Sequence, residues 1–169
     1  MTGIVVWFTG RPASGKSTLA RDVAAALNET GTRAVILDSD EIRDAIVPDF
    51  GYGDEGRDHF YESLANLAAL FARQSHVVLV AATANLARFR QRAFERTPSF
   101  LEVYVATDAA ECAARDPKGL YARAAADRAS NLPGVGAIYE EPEAPDVVAP
   151  IGTSEAAVAE IVSRIAKRQ

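Results

Sequence analysis

The stretch "GIVVWFTGRPASGKSTLA" (residues 3–20) decides the fold. Residues 3–9 form an unbroken apolar run, the pattern of a strand buried on both faces. The run breaks at Gly10, Arg11 and Pro12, and "SGKSTLARDVAAALNETG" then reads as a helix stopped by Gly31. Gly10 to Ser17 satisfy G-x-x-x-x-G-K-[ST], with a strand before and a helix after, the context that this pattern requires. Gly10 and Gly15 permit backbone shapes that a Cβ obstructs. Pro12 has no N–H to give, so the amides from Ala13 through Ser14, Gly15, Lys16 and Ser17 to Thr18 form the phosphate cradle at the helix N-terminus. Lys16 is expected to reach the β- and γ-phosphates of a nucleotide, and the Ser17 hydroxyl to hold Mg²⁺. The pattern specifies a nucleoside triphosphate and is silent about the reaction.

Outward from this loop, strands and helices alternate. "RAVIL" (33–37), "HVVLVAA" (76–82), "FLEVYVA" (100–106) and "DVVAPIG" (146–152) read as further strands. Helices are expected in 39–46, 57–74, 86–96 and 108–115, the last capped by Thr107 or Asp108, with a final one after Ser154. "PDFGYGDEG" (48–56) reads as a glycine-rich loop. Residues 116–146 lack a clear apolar period. The expected fold is α/β: a P-loop NTPase kinase fold with a parallel five-stranded sheet, helices on both faces and a lid segment at approximately 116–135. One domain, 1–169, fits the length. Ligands in such sheets bind at the carboxyl ends of the strands.

Composition narrows the class. The chain is 49% apolar and 24% charged, an ordinary globular mix. A net charge of −5 without a Lys/Arg run argues against a nucleic-acid partner. Cys112 is the only cysteine and can form no internal disulfide, which fits a reducing compartment. No signal segment or membrane-length apolar run is evident, so the expectation is a cytoplasmic protein with no membrane contact. His59 and His76 come without a Cys/His cluster, which argues against zinc.

The chemistry points to phosphoryl transfer. No guanine-reading N-K-x-D stretch is present, and the "DFG" at Asp49–Gly51 lacks the H-R-D loop of a protein kinase. The third strand ends without the usual Walker B aspartate; the acids lie in "LDSD", as Asp38 and Asp40. One can organise water on magnesium and the other accept a proton from an attacking hydroxyl, or either can cap the helix that follows. Arg43 follows Asp40 by one helical turn and is expected to face the same cleft unless it is a solvated helix arginine. Arg115, Lys118, Arg123 and Arg128 are the lid's candidates for contact with ATP.

At this point the chain resembles the adenylylsulfate kinase (APS kinase) family over nearly its whole length. The resemblance rests on "WFTGRPASGKSTLA", "LDSDEIRDAI", "FGYGDEGRD", "FLEVYVAT", "CAARDPKGLYARA" and "YEEPEAPDVV". It implies transfer of the ATP γ-phosphoryl to the 3′-hydroxyl of adenosine 5′-phosphosulfate, with Mg²⁺, and often a homodimer. By position it implies that Asp40 is the catalytic base and Asp38 its acidic partner on the metal's water. Arg43 and Arg57 then bind the phosphosulfate, Tyr52 packs on the substrate adenine, Arg115 lies near the ATP base and Lys118 beside the phosphates.

Departures from the family pattern cluster on the acceptor side. Phe60 stands where the family has a substrate-binding asparagine, and Glu62 and Ser63 where it has two arginines. Asn85 replaces a serine, and Leu132 replaces the second aromatic partner of adenine. Glu62 is therefore expected to reverse a charge where an anion binds. For adenylylsulfate to remain the acceptor, Asn85, Phe60 and Arg57 are expected to make new contacts; Leu132, though it loses the π-face of a stacking partner, is still expected among the substrate-binding residues. Two other readings stand beside an adenylylsulfate kinase: a related kinase for a hydroxyl of another nucleotide derivative or metabolite, and a regulatory nucleotide-binding module without catalysis. The presence of Lys16, Ser17 and Asp40 argues against the last.

Overall fold

A computed structural model describes residues 3–46, 49–97, 99–127, 130–151 and 154–168; Arg128 lies outside them. The phosphate-loop stretch folds as read: β1 (Ile4–Thr9) runs into the loop, and α1 (Lys16–Glu29) leaves it. Gly15 caps α1 at φ 101°, in the left-handed region where a side chain is strained. β2 (Ala34–Asp38) leads directly into α2 (Ser39–Ala45). α3 (Asp54–Arg73), β3 (Val77–Ala81), α4 (Ala87–Arg96) and β4 (Phe100–Val105) follow. α5 (Ala109–Arg115), α6 (Leu120–Ala126), β5 (Val147–Ala149) and α7 (Glu155–Arg168) complete the order.

The five strands form one parallel sheet in the order β2-β3-β1-β4-β5. Its apolar strands alternate between two cores. Ile4, Val6 and Phe8 pack with Leu19, Val23 and Leu27 of α1 and Ile161 and Ile165 of α7. Val5 and Trp7 pack with Phe60, Leu64 and Ala68 of α3 and Phe89 of α4. The sheet is thus covered on both faces, as a parallel sheet requires. Truncating a fully buried ring such as Trp7 or Phe8 to alanine removes about 3–5 kcal/mol.

Element ends shift by a few residues from the sequence reading, and two differences bear on the cleft. α3 begins at Asp54 rather than 57, so Gly56 is helical. A Cβ on Gly56 would lie 1.8 Å from the Phe50 carbonyl oxygen, so this glycine serves close packing of the loop onto the helix. The unpatterned segment after Asp116 contains α6, whose alanine-rich sequence is helical by propensity without an apolar stripe. Asp108 is the cap of α5, accepting from Glu111 N at 2.8 Å.

Candidate active site

β1, β2 and β3 end at an open cleft of about 1260 Å³. Pro12, Ala13, Gly15, Lys16, Ser17 and Thr18 line its floor. The rest of the loop supports them from behind. Ser14 is fully buried, and its carbonyl accepts from Thr107 Oγ1 at 2.8 Å. Gly10 contributes its carbonyl to Lys16 Nζ at 3.0 Å. Arg11 does not line the cleft; its guanidinium pairs with Glu141 at 3.3 Å and lies 5.5 Å from the Tyr139 ring centre. Ser14 enters the cradle reading through its backbone amide, which the burial of its side chain leaves untouched, whereas the Arg11 side chain turns to Glu141 and Tyr139 and away from the cleft lining.

Lys16 is a buried charge on the floor of the cleft. Its ammonium donates to the Gly10 and Arg11 carbonyls at 3.0 and 2.8 Å, with no carboxylate among these partners. Burial pushes its pKa from 10.5 down to about 8, while Asp40 and Asp38 pull the other way. A phosphate oxygen entering the cleft would supply a counter-charge to this ammonium.

Asp38 and Asp40 both line the cleft. Asp38 ends β2 and pairs in register with Ala81 of β3, so the acid missing from β3 is provided by the neighbouring strand. Its Oδ1 accepts from Asp40 N at 3.0 Å, capping α2. The cap and the site residue are the same side chain. Asp40, more exposed, is ion-paired to Lys118, whose pKa the hydrogen bond to Asp40 raises. Arg115, on the same wall, is tied to Glu111 one helical turn back.

Arg43, Tyr52 and Arg57 also line the cleft. Arg57 is 6% exposed, and burial lowers its pKa from the ordinary value. It donates to the Asn131 carbonyl at 2.5 Å, while Asn131 Nδ2 donates to the Tyr52 carbonyl at 3.0 Å. Asn131 thus ties segment 116–135 to the Tyr52 loop. Lys16, Arg21, Arg43, Arg57, Arg115, Lys118 and Arg123 all line this cleft on a chain of net charge −5, a local positive site on an acidic protein.

Three acceptor-side residues sit differently from the expectation. Phe60 is fully buried and does not line the cleft; its ring centre lies 3.7 Å from the Arg43 guanidinium carbon. Asn85 is 4% exposed and donates to the Ile138 carbonyl at 2.9 Å, bracing the chain around Tyr139. Glu62 faces α4, pairing with Arg96 at 2.5 Å and Arg92 at 3.6 Å, so its charge is neutralised outside the cleft. The expected charge reversal at an anion site is corrected by this pairing. Leu132 does line the cleft.

Sequence reasoning missed Thr83, Tyr61 and Asn131, all of which line the cleft. The Tyr61 hydroxyl accepts from Ala84 N at 3.0 Å, and Thr9 Oγ1 donates to the Thr83 carbonyl at 2.6 Å. The Thr9–Thr83 contact depends on β3 lying beside β1, and those of Tyr61 and Asn131 on where distant segments meet, which no local pattern encodes.

The oxygen-only donor set, Ser17 with Asp38 and Asp40, suits a hard divalent cation that keeps waters and phosphate oxygens as ligands. Among the described residues no cluster of three or more His, Cys, Asp or Glu forms a self-sufficient metal cage. Also among them, no helix is long and apolar enough to cross a membrane.

Comparison with known proteins identifies the family. Residues 2–150 match the family model for adenylylsulphate kinase. An adenylyl-sulfate kinase of Enterobacter sp. (strain 638) is 40% identical over 147 residues, 86% of this chain and 73% of the relative. The Mycobacterium tuberculosis APS kinase CysC, solved in complex with AMPPNP and APS, superposes with a TM-score of 0.86 at 34% identity, covering 98% of this chain and 96% of that one. A hexameric APS kinase from Thiobacillus denitrificans gives a TM-score of 0.65 at 25% identity, covering 99% of this chain and 28% of that one. With its five-stranded parallel sheet, phosphate loop and these relatives, the chain belongs to the adenylylsulphate kinase family.

Proposed function

We propose that this protein transfers the γ-phosphoryl group of ATP to the ribose 3′-hydroxyl of adenosine 5′-phosphosulfate, releasing ADP and 3′-phosphoadenosine 5′-phosphosulfate. The observation that carries the reading is one cleft lined by Lys16, whose ammonium donates to the Gly10 and Arg11 carbonyls, together with Asp38, Asp40, Arg43 and Arg57. The same cleft thus offers cationic groups for the anions of two substrates and a carboxylate pair.

In this mechanism the amides of 13–18 and the Lys16 ammonium hold the triphosphate tail. Ser17 would hold Mg²⁺, with Asp38 and Asp40 acting through its waters, and the ion would supply neutralisation of phosphate charge. Arg43 and Arg57 hold the phosphosulfate, and the exposed Tyr52 ring packs on the adenine. Asp40 takes the 3′-hydroxyl proton as the new O–P bond forms and the γ-phosphoryl leaves the β-phosphate oxygen. Lys118 must release Asp40 first, and phosphate oxygens offer it a competing partner. Segment 116–135 acts as the lid that excludes water. Homodimer formation and a cytoplasmic location belong to the same proposal; Cys112, a free buried thiol, suits a reducing compartment.

A second reading, a kinase for another nucleotide-like acceptor, is favoured by Leu132, an aliphatic side chain on the cleft wall. Purified protein with ATP and Mg²⁺ is offered adenylylsulfate and then a panel of nucleotide and sugar alcohols, with ADP release followed. Turnover on adenylylsulfate far above the panel supports the first reading. Turnover only on a panel member replaces it with the second.

A further inference from the structure

Arg43 is flanked by two aromatic rings. Its guanidinium carbon lies 3.7 Å from the Phe60 ring centre and 4.5 Å from that of Tyr52. Its Nη1 also donates to the Gly51 carbonyl at 2.9 Å. Phe60 is fully buried and Tyr52 is 56% exposed, so one ring belongs to the core and the other to the open cleft. We propose that Phe60 is a positioning residue: it holds the Arg43 guanidinium in the orientation that receives the acceptor's anionic group, without touching the acceptor itself. This inference rests on the proposed role of Arg43 in binding the phosphosulfate.

An arginine on the short helix α2 has a flexible stem and two exposed edges, and in water samples many rotamers. A ring face attracts the guanidinium through its quadrupole, most strongly where water is excluded. Phe60 provides such a face from inside the core, where its own ring is fixed by the edge-on packing of Tyr61 at 5.3 Å. The Gly51 carbonyl fixes the in-plane direction. The remaining N–H edges are then presented to the cleft, which Arg43 lines. Arg57, from the same helix as Phe60, stands in the same cleft, so one rigid element sets the spacing of both arginines. The ordering cost is met in the free protein, which is how preorganisation raises affinity.

The test compares wild type with Phe60→Leu, which keeps an apolar core side chain without a π-face, and Phe60→Tyr, which keeps the face. KM for adenylylsulfate is expected to rise roughly tenfold in Phe60→Leu, with kcat and KM for ATP changed less than about twofold, and to recover in Phe60→Tyr. In an Arg43→Ala background the Phe60→Leu effect on kcat/KM is expected to vanish. Equal losses toward both substrates, or an undiminished effect without Arg43, overturn the proposal. An acceptor-independent readout accompanies this: the Arg43 Nε–H NMR resonance, assigned with Arg43→Lys, should be protected from exchange in wild type and Phe60→Tyr and lost in Phe60→Leu. Phe60→Met replaces Phe60→Leu if the latter does not fold. If wild type does not turn over adenylylsulfate, the proposed function fails, and the NMR comparison alone decides whether Phe60 holds Arg43. A resonance already unprotected in folded wild type overturns the positioning proposal by itself.

Discussion

Asp40 and Lys118 are ion-paired across the cleft, joining the start of α2 to the turn between α5 and α6. Both side chains are more than half exposed, so the pair is screened and contributes little to stability. Its importance is positional. The carboxylate assigned as base is held by a group from the lid segment until something draws that group away. Asp38, by contrast, is committed to the α2 backbone and is the poorer candidate for moving a proton.

Asp40→Asn is therefore expected to retain ATP binding within about threefold while kcat falls by roughly 10²- to 10⁴-fold, the range of general-base catalysis. Isothermal titration with a non-hydrolysable ATP analogue and steady-state ADP release measure the two halves. A near-wild-type kcat would remove Asp40 from the mechanism.

Lys16 makes nucleotide binding depend on pH. Its pKa in the folded, nucleotide-free protein is about 8, below the ordinary 10.5. Between pH 8 and 10.5 the unfolded chain holds a proton that the folded chain has lost, so this group's contribution to stability rises with pH there. Below pH 8 both states are charged, and burial destabilises the fold by an amount on the order of a few kcal/mol. Lys16→Met is accordingly expected to raise the nucleotide-free Tm at pH 7, with the advantage shrinking toward pH 10, and to abolish stabilisation by ATP. In wild type, ATP binding above pH 8 should take up a proton, seen as a buffer-dependent enthalpy in calorimetry, and affinity should fall as pH rises through 8. A pH-independent affinity between 7 and 9.5 would contradict the lysine's assigned state.

Glu62 shows how a motif position can mislead. Read along the sequence, it places a negative charge in a phosphosulfate site. In the fold, Asp58 and Glu62 lie one turn apart on α3 and meet Arg88, Arg92 and Arg96, spaced by four on α4. Glu62→Gln is thus expected to change KM for adenylylsulfate by less than about twofold and stability by at most about 1 kcal/mol, since the pairs are partly exposed. A large gain in acceptor affinity on neutralising Glu62 would return its charge to the cleft.

The contrast between Lys16 and Asn131 explains what sequence can reveal. Lys16 is legible because the phosphate loop is local: its glycines, lysine and hydroxyl are contiguous, and apolar strands around them carry the parallel sheet in their pattern. Asp38 and Asp40 were equally visible, although only the Asp38–Ala81 register explains why β3 lacks an acid. Asn131 receives Arg57 across 74 residues of chain and holds Tyr52 across 79. Such pairings depend on where loops meet and leave no periodic trace. Phe60 illustrates the same limit: its spacing places it on α3, but only the fold puts Arg43 over its ring.

Leu132 offers the last test of the acceptor's identity. It lines the cleft beside Pro133 and Asn131, in the segment that Arg57 and Tyr52 hold in place. An aliphatic side chain there buries area against a base but offers no π-face. Leu132→Phe should therefore strengthen binding of an adenine-bearing acceptor by about 0.5–1.5 kcal/mol, a roughly two- to tenfold fall in KM for adenylylsulfate. KM for a sugar alcohol would not fall, because no flat ring is present to stack. The measurement is KM for each acceptor in wild type and Leu132→Phe at saturating ATP. A variant that lost activity on adenylylsulfate while retaining turnover on another alcohol would show that Leu132 shapes the pocket for a smaller or non-aromatic acceptor.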